Sequence, residues 1–407
     1  MAQPRKKLFG PLFYSTLVLA VLVTLYTGMV SVLPWLEERR DLQRLVRALR
    51  SPDANTRATA ASSLAMRGDQ RGSSPYLMDA TRDSRPEVRA VAFSALTETS
   101  MNLNVVIPVL LAASRDSEAD VRRAAAKGIG RAVVFTSQTV PSSPETPGGL
   151  APDSRERILK ALRVLLKDPS SEVRAAAVSS LGEFGTAPTT PPDLLGATSD
   201  EDGEVRLAAS VSLLKLNGNS DPIASRTLLA MLSDPEPVLL RSRVAEVLKG
   251  TSESVQDQAV SALMTLLANA DSDSLLLHEA VDCLSVFGVR SRPALPAIEA
   301  LLRDQDQDPN TRAAAENAFG EIEGKNAPRY LAMQLKTIAD VTMTARWRQY
   351  TLNSVREVNA PALTKATPGL IRQLTDTDPN VRMFALELLG QILYDLPGEL
   401  PGVNEGK

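Results

Sequence analysis

His278 and Glu279 stand side by side, an imidazole next to a carboxylate, and such groups ligate metals or move protons. They are poorly supplied with help. His278 is the only histidine in 407 residues and Cys283 the only cysteine. A single imidazole cannot furnish the nitrogen ligands of a two-metal centre. A single thiol makes neither an intrachain disulfide nor a thiolate metal site. Amid Val281, Leu284 and Val286, Cys283 reads as a small buried hydrophobe. Asp304, Asp306 and Asp308 alternate as the acids of a calcium loop do, but Pro309 and Ala315 stand where an EF-hand requires Gly and Glu. The chain has no Walker loop, no dinucleotide fingerprint and no nucleophile elbow. Gly128-Ile-Gly130 reads as the end of a helix rather than a phosphate loop. No catalytic, cofactor-binding or metal-ligating residue is assigned on these grounds, and no cofactor is expected.

Bulk properties narrow the class further. Lys and Arg number 45 against 48 Asp and Glu, a net charge of −3 that supplies no basic field for nucleic acid. Aromatic residues make up only 4%, so alanine and leucine must carry the apolar load, a mixture suited to closely packed helices. A chain of this length exceeds one ordinary core and must be several domains or a quasi-one-dimensional array.

The spacing of the charged residues decides for the array. An Asp is followed six residues later by an Arg at Asp83 and Arg89, Asp116 and Arg122, Asp168 and Arg174, Asp200 and Arg206, Asp340 and Arg346, and Asp376 and Arg382. Looser copies fill the gaps. Ser51 precedes Arg57, Asp234 precedes Arg241, Asp304 precedes Arg312, and Asp271 precedes His278 in the arginine position. That makes about ten units. Independently, Pro75, Pro108, Pro192, Pro296 and Pro368 each lie eight residues before the Asp of their own unit.

Each unit reads as two helices. The first is short, as in 162–167, and carries any proline near its first turn, where a missing N–H costs nothing. A turn with Asp, Pro, Ser or Asn follows, in which Ser170 and Asn380 are expected helix starters. In the second helix Val173, Ala176, Ala177, Ser180 and Leu181 form an i, i+3, i+4, i+7, i+8 stripe, repeated from Val88, Val121, Val205 and Val381. Gly182, Gly218, Gly250, Gly288, Gly320 and Gly390 fall where second helices should stop. A lone pair cannot cover its apolar face, so pairs must stack, and a stack is a superhelix with a long groove.

The order Pro, Leu-Leu, Asp, Val-Arg, Ala-Ala, Leu-Gly over 42–396 resembles the HEAT repeat, particularly the short form named after phycobilisome lyases. The fold class expected is all-α, an α-solenoid of about ten HEAT-like hairpins. By that resemblance the repeated Asp and Arg form a structural ladder of hydrogen bonds joining adjacent turns, rather than a binding row. Deoxyhypusine hydroxylases also place a di-iron centre on such repeats, but their pattern uses several His-Glu pairs. Two segments break the period: a Ser-, Thr-, Pro- and Gly-rich insertion over 135–153, expected to be a mobile loop, and a frayed tail over 397–407.

Ahead of the repeats, a basic amino terminus (1–11, with Arg5, Lys6 and Lys7) precedes a run without charge from Leu12. The 12–34 segment is expected to be a transmembrane signal-anchor helix, since about 20 residues at 1.5 Å each span a hydrocarbon core of about 30 Å. The run is too long for a cleaved signal, and no small-residue cleavage site follows it. The cationic flank places the amino terminus in the cytoplasm and the repeats outside it. Absence of an Asn-x-Ser/Thr sequon favours a bacterial inner membrane and periplasm. Thr16, Ala20, Thr24 and Gly28 fall on one helix side; chance placement and a homodimer packing face both remain open there.

Three functions stand from these observations. The first is a membrane-anchored scaffold holding protein partners in its concave surface, without nucleic acid. The second is an enzyme or cofactor-handling factor of the bilin-lyase kind. The third is a spacer within the envelope.

Overall fold

The computed structural model describes residues 40–66, 74–98, 103–139, 152–184, 192–233, 236–269, 273–304, 306–339, 344–355 and 360–395. Every regular element among them is helical. The expected transmembrane segment 12–34, with Thr16, Ala20, Thr24 and Gly28, lies outside the described residues, as does the tail 397–407. Among the described residues no helix is long and apolar enough to cross a membrane.

The helices follow one another in pairs, first helix then second. They are α1 (40–48) with α2 (Ala54–Met66), α3 (Ser74–Ala80) with α4 (Pro86–Glu98), α5 (Leu103–Ala113) with α6 (Ala119–Thr139), and α7 (Pro152–Leu165) with α8 (Ser171–Gly182). Then come α9 (Pro192–Ala197) with α10 (Gly203–Leu216), α11 (Pro222–Ser233) with α12 (Val238–Lys249), and α13 (Glu253–Ala268) with α14 (Ser274–Phe287). A 3-10 turn (Gly288–Ala294) leads into α15 (Leu295–Arg303) with α16 (Pro309–Glu323), followed by α17 (Pro328–Ala339) with α18 (Ala345–Val355), and α19 (Ala360–Gln373) with α20 (Pro379–Asp395). The chain divides into two compact blocks, Met1–Thr189 and Thr190–Lys407.

Within each block like packs on like. In the first, α2 lies on α4, α4 on α6 and α6 on α8. In the second, α12 lies on α14, α14 on α16 and α18 on α20, while α11, α13 and α15 form the corresponding row of first helices. The stripes explain this. Val173, Ala176, Ala177, Ser180 and Leu181 are all buried in α8, and Val88, Val121, Val205 and Val381 have at most 1% of their surface exposed. Small residues at the middle of each stripe let second helices approach closely, and the Leu at its end fills the space beneath the first helix. At the amino-terminal end Ala61, Leu64, Leu77 and Leu96 join α2, α3 and α4 in one core, which Leu42 and Leu45 of α1 and Leu49 just after it cover.

Element boundaries differ from the sequence reading in instructive ways. The helix α6 runs on to Thr139, so Gly128 and Gly130 are interior to it. A Cβ on Gly130 would lie 2.6 Å from Ser180 Oγ and 3.1 Å from Ser180 Cα. The glycine is there so that α8 can come close, and Ser180 Oγ donates to the Ala126 carbonyl at 2.7 Å across that contact. The insertion therefore shrinks: 135–139 belong to α6, 152 and 153 open α7, and 140–151 lie outside the described residues. Pro108 and Pro368 are interior to α5 and α19 rather than in their first turns. Gly320 and Gly390 are also interior, whereas Gly218 and Gly288 do follow their helices with positive φ, and Gly324 (φ 96°) does so for α16. Asp378, not Asn380, starts α20, its carboxylate accepting from the Asn380 and Val381 amides. Ser170 occupies the start of α8 without a side-chain bond to the helix. Asp202, Asp273 and Asp308 accept from the first amides of α10, α14 and α16.

Candidate protein-binding surface

The charged residues of the repeat sit at the turns between first and second helices. Each turn is built on one Asp. Its Oδ1 accepts the amide two residues on: Arg85 on Asp83 at 2.9 Å, Glu118 on Asp116 at 3.0 Å, Ser170 on Asp168 at 3.0 Å. In the first turn Ser51 Oγ takes over this duty, accepting from the Asp53 amide at 3.2 Å.

The carboxylates are also claimed from outside their own pair. Arg57 donates through Nε and Nη2 to Asp83 at 2.7 and 2.8 Å, Arg89 to Asp116 at 3.0 and 2.8 Å, and Arg122 to Asp168 at 2.6 and 2.9 Å. Such two-pronged bonds are the strongest form of the Arg–carboxylate pair. Meanwhile Nη1 of each arginine donates to its own turn, Arg89 to the Asp83 carbonyl at 3.0 Å and Arg122 to the Asp116 carbonyl at 2.9 Å. The Asp and Arg six residues apart thus meet through the Asp backbone. The carboxylate partner is the Arg of the preceding pair.

The arginine's register is counted from the helix start, not from the Asp. Its amide always donates to the carbonyl four residues back, at the helix cap: Arg57 to Asp53, Arg174 to Ser170, Arg206 to Asp202, Arg312 to Asp308, Arg382 to Asp378. Where the turn has a standard length, both counts agree. Where it does not, the sequence pairing misses. In the ninth pair the cap is Thr344 and the arginine is Arg348, which donates to Asp376 of the tenth pair. Arg346 is exposed, and Asp340 lies outside the described residues. In the seventh pair the cap is Asp273 and the position belongs to the buried Leu277, so His278 lies one residue beyond it. In the sixth pair the carboxylate reached by Arg206 is Glu236. Arg174 donates to the Asp168 carbonyl and Arg382 to that of Asp376. Arg206 donates likewise to the Asp200 carbonyl at 2.6 Å.

These contacts shift proton affinities. The Arg57 hydrogen bond draws the Asp83 pKa below its ordinary value. For Asp116 and Asp168 burial pulls upward, but the bonds from Arg89 and Arg122 and from the turn amides outweigh it, and both end lowered. Arg57, Arg89 and Arg122 are raised by the same bonds.

The other sequence candidates have structural surroundings. Glu279 accepts from Lys249 Nζ at 3.2 Å, and Lys249 also binds Glu246 and Asp282 at 2.5 Å. Those three carboxylates lie close enough to share one cation, and the lysine ammonium fills that role. Asp308 is committed to the start of α16, and Asp304 Oδ1 accepts the Asp306 amide at 3.0 Å. Cys283 is fully buried, and that burial raises its thiol pKa, the opposite of a reactive thiolate.

Away from these turns, the outward face of the second helices offers open surface. In the first block α2, α4 and α6 line an open depression of about 460 Å³. Its floor is small and weakly polar (Ala65, Ala90, Ser94, Ala124), its rim charged (Glu98, Asp120, Arg123, Lys127). Arg123 is braced by Asp120 at 2.7 Å and by Glu172 of α8. Met66 stands 84% exposed at the edge. Sequence reasoning predicted a groove but none of these residues. Most of them lie beside the stripe, while Ala124 falls within it, three residues after Val121.

Residues 42–130 and 148–215 match a family model described as HEAT repeats, and 366–396 match a second HEAT-repeat model. Over those residues the chain carries HEAT repeats. No curated protein matches it. Among solved structures it is similar to Kap121p bound to Pho4p (17% identity, 89% of this chain and 41% of that one, TM-score 0.57). It is also similar to a homology model of the AP-3 complex (15% identity, 80% and 59%, TM-score 0.57). The chain thus spans about two fifths of Kap121p. At these identities the likeness is one of fold: an all-α solenoid of HEAT repeats.

Proposed function

We propose that this protein is a membrane-anchored scaffold that holds a protein partner against the outward face of its second helices. The observation that carries the reading is the depression on α2, α4 and α6, whose floor of Ala and Ser lets a partner's backbone or helix approach closely. Its rim offers both signs of charge, which selects a partner more than it tightens one. The turn contacts hold the three helices in fixed register, so the surface is organised before anything binds, and that lowers the entropic cost of association. Kap121p carries a protein ligand, Pho4p, on a fold of this kind, which supports the reading. The charge-free run from Leu12 supports an anchor, and the cationic residues before it support a cytoplasmic amino terminus with the repeats on the far side.

The test is crosslinking in native membranes, comparing wild type with Ser94→Arg and Ala90→Glu, which fill the depression, and with Arg82→Glu, an exposed change outside it. The depression variants should lose one defined protein that Arg82→Glu retains. Equal recovery from all of them overturns the proposal. A reporter fused after Lys407 tests sidedness, with activity outside the cytoplasm expected.

A further inference from the structure

Counting from the buried arginine position gives each second helix a fixed address for contact with the next one. Four residues on are Phe93, Ala126, Ala245 and Val281, each at most 4% exposed. The address is a contact in fact. Glu316, at this place in α16, accepts from Thr351 of α18, and the Ala126 carbonyl accepts from Ser180 of α8. Eight residues on from Arg122 is Gly130, where a Cβ would strike Ser180.

In α20 the same addresses stand open. Leu386, four on from Arg382, is 62% exposed, and its face continues through Met383 (49%) and Leu393 (73%). At Gly390, eight on, nothing lies within 4 Å of the place a Cβ would take. Arg382 spends Nη1 on the Asp376 and Thr377 carbonyls, as its counterparts do on theirs. Yet among the described residues no carboxylate meets the Nε and Nη2 side that Arg89 and Arg122 use for Asp116 and Asp168. Surface, close-approach glycine and arginine together form one half of an interface whose complete form recurs between pairs.

We propose that this end face docks a helical hairpin of a different protein, one that lays an apolar helix on Leu386 and Gly390 and gives Arg382 a carboxylate from its turn. The chemistry argues against a head-to-tail second copy. The first pair of this chain has Ser51 where the carboxylate belongs, and the acid of that turn, Asp53, is spent on the Thr56 amide and hydroxyl at the start of α2. The surface is distinct from the depression on α2, α4 and α6, and its test can fail or succeed without reference to that one.

The test places a photo-crosslinking amino acid at position 386 of the full chain in native membranes and maps the adduct by mass spectrometry. The expected adduct is to another protein, within a turn or two of an Asp or Glu. Arg382→Asp should reduce it at least tenfold, and changing that partner acid to Arg should restore it. Gly390→Phe, which meets no neighbour in the free protein, should abolish the adduct without lowering the melting temperature of the chain. An adduct to a second copy or to residues 396–407 of the same chain overturns the proposal. So does the absence of an adduct, or one indifferent to Arg382→Asp.

Discussion

Asp83, Asp116 and Asp168 each serve a turn amide and a neighbouring arginine, and each titrates below its ordinary value. Lowered carboxylates stabilise the fold above the unfolded pKa of about 3.9 and withdraw that stability as pH falls through their folded values. The urea midpoint of the chain should therefore fall as pH drops below about 4, and less steeply in Asp116→Asn. Glu316 works in the other direction. It is 1% exposed, its carboxyl accepts from Gln334 at 2.7 Å, and burial pushes its pKa up. A raised acid contributes stability below its unfolded pKa of about 4.3 and loses it as pH rises through the folded value. Glu316→Gln should thus flatten the decline of stability from mildly acidic to alkaline pH, measured by hydrogen exchange in α16 and α18. Unchanged pH dependence would refute this assignment. At this scale the sequence showed that Asp and Arg repeat, but not whom they bind. A spacing of six residues is a distance along the chain, and the carboxylate bond crosses between pairs. The seventh and ninth pairs show why: turn length varies, and only the helix cap fixes which residue, Leu277 or Arg348, points to the neighbour.

Close approach of second helices explains the glycine at 130, inside α6. At Gly130 the neighbouring Ser180 backbone leaves no room for a methyl, so Gly130→Ala should cost about 1–3 kcal/mol as an overpacked contact. At Gly390 nothing is near, and Gly390→Ala should instead stabilise the helix by up to about 1 kcal/mol through propensity alone. Opposite signs for one substitution in two helices are read by thermal unfolding; the same sign for both would contradict the stacking geometry. Helix count and order were legible because the apolar stripe and the Asp turn both repeat. Helix ends were not. Glycine marks a stop at Gly218 and Gly288 but close packing at Gly130 and Gly320, where the Tyr330 ring lies 3.2 Å from a Cβ. Pro108 and Pro368 misled similarly, since apolar residues upstream extend α5 and α19 past the proline despite its missing amide.

Pairs that bury their faces only on neighbours should open locally, not all at once. Leu110 is fully buried in α5. Leu110→Ala should cost about 2–5 kcal/mol. Hydrogen exchange should quicken in α4, α5 and α6 and stay unchanged in α14 and α16. Uniform acceleration throughout the chain would mean a single cooperative unit. The solenoid class was readable from period and composition alone. The binding surface was not, because a partner is recognised by the residues that differ between repeats. What joins the pairs can be measured directly by a double-mutant cycle on Arg89, Asp83 and Asp116. Removing Arg89 and Asp116 singly and together should give a coupling of about 1–3 kcal/mol, while the coupling of Arg89 to the Asp83 side chain, six residues away along the chain, should stay below about 0.5 kcal/mol. A larger coupling to Asp83 than to Asp116 would contradict the account.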